Sequence, residues 1–135
     1  MRLKKAASQL LQWERVCRVA TADRSGAPHL TPVCQVVADG KIYFAIGRDS
    51  RKFANLRRNP RLAVLADIYT EDWPRLVGVL IEGRAKLIER GPRFRKIRKL
   101  LYQKYPQYPN ESAVEEGESV VVEITPERAT SWGTD

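Results

Sequence analysis

Hydrophobic and polar positions change period several times along this 135-residue chain. Between residues 3 and 14, Leu3, Ala7, Leu10 and Leu11 fall on one side with charged residues opposite, which predicts an amphipathic helix. From Val16 the period shortens. Residues 16–21 predict a strand, Asp23-Arg24-Ser25-Gly26 a turn, and residues 29–37 a second strand. The Asp39-Gly40 turn leads into a third strand over 41–47, where Ile42, Phe44 and Ile46 share a face, so these two strands predict a hairpin.

Asp49 or Ser50 can cap a short helix over 51–58, with Phe53 and Leu56 on its buried side, and Asn59-Pro60 stops it. A fourth strand follows at 62–69, then the polar turn Thr70-Glu71-Asp72-Trp73-Pro74. A long fifth strand covers 76–88, with Ile81, Gly83, Ala85 and Leu87 on one face and Glu82, Arg84 and Lys86 on the other. Gly91-Pro92 opens a helix to Tyr105, with Phe94, Ile97, Leu101 and Tyr105 at helical spacing. A sixth strand is predicted over 119–125, and the tail 126–132 adds a short last one.

Strands do not alternate with helices through Gly-rich turns, which argues against a dinucleotide-binding α/β domain. Short strands with few helices fit a small antiparallel barrel: mainly β with short helices, six to seven strands. The length and the lack of a linker or repeat predict one domain over 1–135. Gly78 and Gly83 on the long strand suit bending or close backbone approach.

Composition narrows the chemistry. No apolar run approaches the roughly 18 residues of a membrane span. The basic start, Met1-Arg2-Leu3-Lys4-Lys5, has no apolar signal core, so a cytoplasmic protein with no membrane partner is expected. Cys17 and Cys34 stand alone in apolar stretches and match neither a disulfide framework nor a zinc pattern, so both are expected as buried thiols. His29 is the sole histidine, which excludes a multi-histidine metal site, and no nucleophile-elbow motif stands beside it. No metal is expected.

The net charge of +8 suits nucleic acid, an anionic membrane surface or a phosphorylated ligand. One local arrangement separates these. In Gly47-Arg48-Asp49-Ser50-Arg51-Lys52, Arg51 and Lys52 fall in the first turn of the short helix, where the helix dipole disfavours a cation by about 0.3–1 kcal/mol. Arg57 and Arg58 sit at the favourable C-terminal end. Free backbone N–H groups, the Ser50 hydroxyl and two cations would together bind a phosphate. The alternative is that both side chains extend into solvent. The sequence has no Walker loop.

These residues also resemble a family. The segments VATADRSGAPHLTPV, GKIYFAIGRDSRKFANLRRNPRLAVL and VLIEGRAKLI, with a late TPERATSW, are similar to the pyridoxamine 5′-phosphate oxidase-like, FMN-binding split-barrel superfamily. SRKFANLRRNPR is the most specific of them, and YTEDWPRL resembles a subgroup that uses the deazaflavin F420. The resemblance implies a homodimeric split β-barrel with FMN or F420 in sites shared between two subunits. It also implies redox chemistry on a small molecule.

By position, it implies that Ser50, Arg51 and Lys52 hold the cofactor phosphate. His29, Leu30, Thr31, Pro32 and Val33 would lie along the ring, and Ala45, Ile46 and Gly47 near the ribityl chain. Trp132 would approach the ring from across the dimer. The chain departs from pyridoxamine-phosphate oxidases proper in carrying Gly78 where they have a Gln, and in lacking their C-terminal Arg-His segment. Vitamin B6 oxidation is therefore not expected, and no catalytic side chain or dedicated nucleophile is assigned.

Several residues keep two readings. His29 either contacts the ring, or donates a proton to substrate, or is a solvated edge histidine. Trp73 either packs beneath its turn or lids the site. Glu71 and Asp72 are expected to be a solvated turn. The run Arg90, Arg93, Arg95, Lys96, Arg98 and Lys99 is expected to be a solvated helix face; nucleic acid or the polyglutamate tail of F420 are its alternatives. The chain has no helix-turn-helix or aromatic-basic RNA motif, so nucleic acid is disfavoured. The competing reading is a non-enzymatic module that carries flavin or haem, or a basic nucleic-acid-associated protein.

Overall fold

The computed structural model describes residues 1–133. Seven strands form one sheet, β1 Cys17–Ala22, β2 Pro28–Val33, β3 Val36–Ala38, β4 Lys41–Gly47, β5 Arg61–Ile68, β6 Val77–Ile88 and β7 Ser119–Trp132. Their order across it is β2-β1-β5-β6-β7-β4-β3, and every pairing is antiparallel. The helices are α1 Lys5–Trp13, α2 Arg51–Arg58, α3 Pro92–Lys104 and the single turn α4 Tyr108–Glu111, with a 3₁₀ turn at Trp73–Arg75.

Alternation along the strands builds two cores. Ile42 and Phe44 on β4 face inward with Val122 and Ile124 on β7, Val79 and Ile81 on β6, Val64 on β5 and Val19 on β1. Helix α1 adds Ala7, Leu10 and Leu11 to this inner core, and α2 adds Leu56. Tyr43 and Val121 project from the other face, where Phe94, Ile97 and Leu101 of α3 cover them. Each fully buried aliphatic or aromatic side chain contributes about 1.5–3 kcal/mol, so the two layers fix the sheet from both sides.

The sheet curls. From β2 to β4 is five strand steps, about 24 Å across a flat sheet at ordinary spacing. Yet Lys52, five residues beyond the end of β4, bonds Thr31 on β2. The seven strands therefore wrap as a half-barrel, and α2 bridges its open side. A register shift at Glu82/Gly83 helps the wrap by bending the long strand. A Cβ on Gly83 would lie 2.4 Å from the Thr125 carbonyl oxygen, so the bend needs glycine there.

Three expectations are corrected. Residues 29–37 are two strands and not one, because the chain turns Gln35 inward: its side-chain amide donates to the Leu11 and Glu14 carbonyls, both at 2.9 Å, and closes the end of α1. Lys104 reinforces the same point, donating to Leu11, Glu14 and Gln35 carbonyls at 2.9–3.1 Å. The tail is no separate strand, since β7 runs unbroken to Trp132 along β6. Cys17 is buried but Cys34, at the break, is half-buried. Among the described residues, no helix is long and apolar enough to cross a membrane.

Candidate cofactor site at the N-terminus of helix α2

Helix α2 begins where β4 ends, and Ser50 is its N-cap. The Ser50 Oγ accepts from the Phe53 N–H at 3.2 Å and donates to the Gly47 carbonyl at 2.8 Å. Its hydroxyl is therefore engaged within the chain and shapes the corner rather than offering a free donor. The Ala54 N–H bonds the Ser50 carbonyl, which leaves the amides of Arg51 and Lys52 as the helix's unpaired first donors.

Lys52 turns toward β2. It is 9% exposed, and its ammonium donates to the Thr31 hydroxyl. Among the described residues, no carboxylate pairs with Lys52 or with the exposed Arg51. Burial holds the Lys52 pKa below the ordinary lysine value. A buried ammonium is costly without a counter-charge, so this arrangement is incomplete as it stands.

His29 completes the corner. Residues 29, 31 and 33 pair with Thr21, Val19 and Cys17, which puts His29, Thr31 and Val33 on the inward face of β2. Leu30 and Pro32 point the other way and are exposed. The His29 Nδ1 is buried without a hydrogen-bond partner. Burial, then the charges of Lys52 and Arg51, hold the imidazole below its ordinary pKa. On the same face of α2, the Asn55 amide donates to the buried Thr21 hydroxyl at 3.0 Å and ties the helix to β1.

The fold thus assembles His29, Thr31, Ser50, Arg51 and Lys52, with Gly47 at the entry to the loop. Ile46 faces the inner core and Ala45 the outer one, beneath α3. Trp132 is not part of this corner. It ends β7, about 43 Å of strand away from Ser119, the partner of Gly47. There its ring lies over Gly78, where a Cβ would come within 2.1 Å of Cζ2. That close approach explains why Gly78 carries no side chain.

One other expectation ends differently. Trp73 does not pack beneath its turn: it is exposed, its Nε1 donating to the Tyr69 hydroxyl at 3.3 Å. The basic run at α3 is mostly exposed, as expected of a solvated face, and three of its six residues form ion pairs there. Arg93 and Lys96 both hold Asp39, Arg93 also reaches Glu123, and Arg95 holds Glu116. Glu123, buried between β4 and α3, is bonded by Lys41, Tyr43 and Arg93; sequence reasoning missed it because its strand reads as apolar.

The family model for pyridoxamine 5′-phosphate oxidase matches residues 3–133. The chain belongs to this family. A solved structure of a conserved hypothetical protein from Mycobacterium tuberculosis resembles this family member with a TM-score of 0.82 and 26% identity, over 96% of this chain and 84% of that one. HutZ, the heme storage protein of Vibrio cholerae, superposes with a TM-score of 0.79 at 16% identity, covering 96% and 94% of the two chains. An F420 reductase gives 0.74 at 16% identity, covering 95% and 98%. The latter two likenesses, at that identity, show the split-barrel fold that the family members share. No curated protein matches the chain.

Proposed function

We propose that this protein is a cytoplasmic, homodimeric oxidoreductase that binds FMN or F420 by its phosphate at the N-terminus of α2 and acts on a small molecule. The observation that carries the proposal is Lys52, a buried ammonium with a hydroxyl but no carboxylate beside it. The free amides of the first turn support the same occupant. The ammonium and the amides want negative charge, and a phosphate supplies it.

Arg51, Lys52 and the two amides would hold the phosphate, with Ser50 fixing the loop that presents them. Thr31 keeps the Lys52 ammonium aimed into the corner. The inward face of β2, from His29 to Val33, would border the ring and exclude water beside it. Hydride transfer is the chemistry such a cofactor supplies when bound; the protein contributes orientation and electrostatics.

The open architecture supports the dimer. β2 is an edge strand, and Leu30 on its outward face is 65% exposed. Edge strands with exposed apolar side chains invite pairing or cover. A second copy supplies that cover, and it is also the source from which a Trp132 would approach a corner that the chain's own Trp132 does not reach.

Titration of the purified chain with FMN and with F420, side by side, tests the proposal. Quenching of flavin or deazaflavin fluorescence with saturable binding is expected for at least one. Failure of both to bind would sink it, and uptake of hemin instead would favour a carrier role.

A further inference from the structure

We propose that seating an anion at the α2 corner is coupled to proton uptake by His29, whose imidazolium charge then strengthens the seat. This rests on the phosphate seat inferred above and adds a protonation step to it.

The geometry supplies the argument. His29 lies on the inward face of β2, two residues from Thr31, which takes the Lys52 ammonium's hydrogen bond. Its Nδ1 is enclosed and has no partner. A proton placed on the imidazole would stand near two cations.

No negative group of the described chain offsets this. The charged groups facing His29 are Lys52 and Arg51, both from α2. Its cross-strand neighbour on β1, Thr21, is neutral and already bonded by Asn55. Its same-face neighbour on β2, Thr31, is neutral and bonded by Lys52. The neutral imidazole is thus the form that suits the corner without an anion, in line with its lowered pKa.

An anion's charge cancels the repulsion that the imidazolium would meet from Lys52 and Arg51. The proton comes from solvent, and no covalent bond of the ligand changes. Coupling is reciprocal: whatever factor the anion adds to the affinity of His29 for a proton, protonation adds to the affinity for the anion.

Because His29 is the sole histidine, its imidazole C2 proton gives one resolved titration curve by NMR in the whole chain. The curve is recorded without ligand, with saturating FMN, with riboflavin, and with sodium sulfate, which does not itself titrate between pH 5 and 8. Without ligand the midpoint is expected below the ordinary histidine value. FMN and sulfate are expected to raise it by about one unit or more, equivalent to at least tenfold tighter binding to the protonated chain. Riboflavin, which lacks the phosphate, is expected to leave it in place.

An unmoved midpoint with FMN demonstrably bound would overturn the coupling while leaving the cofactor site standing. An equal shift with riboflavin would also overturn it, by assigning the effect to the ring. If neither FMN nor F420 binds, the cofactor proposal fails, and the sulfate curve alone decides the coupling: a raised midpoint supports it and an unmoved one ends it. His29→Gln gives a second readout, since the pH dependence of the FMN dissociation constant seen in the parent should flatten in that variant and would persist if another group were responsible.

Discussion

The Lys52 ammonium donates to the Thr31 hydroxyl across the open side of the half-barrel, joining α2 to the edge strand β2. Five strand steps separate the two ends of this contact along the sheet. The bond therefore reports closure of the fold, and it sets a buried cation where no carboxylate of the described chain meets it.

Stability and binding should move in opposite directions at this residue. Lys52→Met removes a buried charge while keeping most of the side chain's volume, so the apo-protein is expected to gain about 1 kcal/mol in urea denaturation. Cofactor affinity should fall by roughly tenfold or more, the value of one charge-assisted hydrogen bond. With Arg51→Ala in addition, the loss should reach on the order of 100-fold if the two contacts add. Unchanged affinity for FMN and F420 in the double variant would sink the phosphate assignment.

Gly78 and Trp132 should behave as a coupled pair. An added Cβ at Gly78 meets the indole at 2.1 Å from Cζ2 and 2.4 Å from Cε2, and a rigid ring cannot yield without leaving. Gly78→Ala is expected to destabilise by about 1–3 kcal/mol, the usual cost of overpacking. In Gly78→Ala/Trp132→Ala the alanine should cost far less. A double-mutant cycle by thermal denaturation measures the difference, and additive effects would contradict the contact.

Glu123 should set part of the acid limit. Burial by itself would raise its carboxyl, but hydrogen bonds from Tyr43 and Lys41, the Lys41 charge and Arg93 outweigh that and hold it below the ordinary value. Its folded pKa thus lies below 4.5, the unfolded one. The folded state binds fewer protons through this window, so stability from Glu123 is full above the unfolded value and is lost as pH falls through the folded one. Glu123→Gln should be less stable than the parent at pH 7 and close to it at pH 3. Urea midpoints at both values check this; a constant gap would refute it.

The edge strand should control assembly. Leu30 is exposed on the outward face of β2, opposite the cation corner, so a charge there leaves the inner core untouched. Leu30→Glu is expected to shift the protein from dimer to monomer in sedimentation velocity with unchanged secondary structure by circular dichroism. A parent that sediments as a monomer would rule out the shared site.

Local burial periodicity in the sequence determined most of the elements. It separated the three helices that carry apolar faces, placed the strands, and marked Asp49 or Ser50 as a cap with two cations at the wrong end of a helix. Those features are readable because a side chain's face repeats every two residues in a strand and every 3.6 in a helix, whatever the rest of the chain does. Only the tertiary structure decided what meets what. The break at Gln35 depends on α1 carbonyls 21 and 24 residues away, and Trp132 needs the β6–β7 register to find Gly78. The isolation of Lys52 from any carboxylate of the described residues, and the enclosure of His29 Nδ1, follow from sheet curvature and strand order. Those are set by long-range pairing, to which a local pattern is blind.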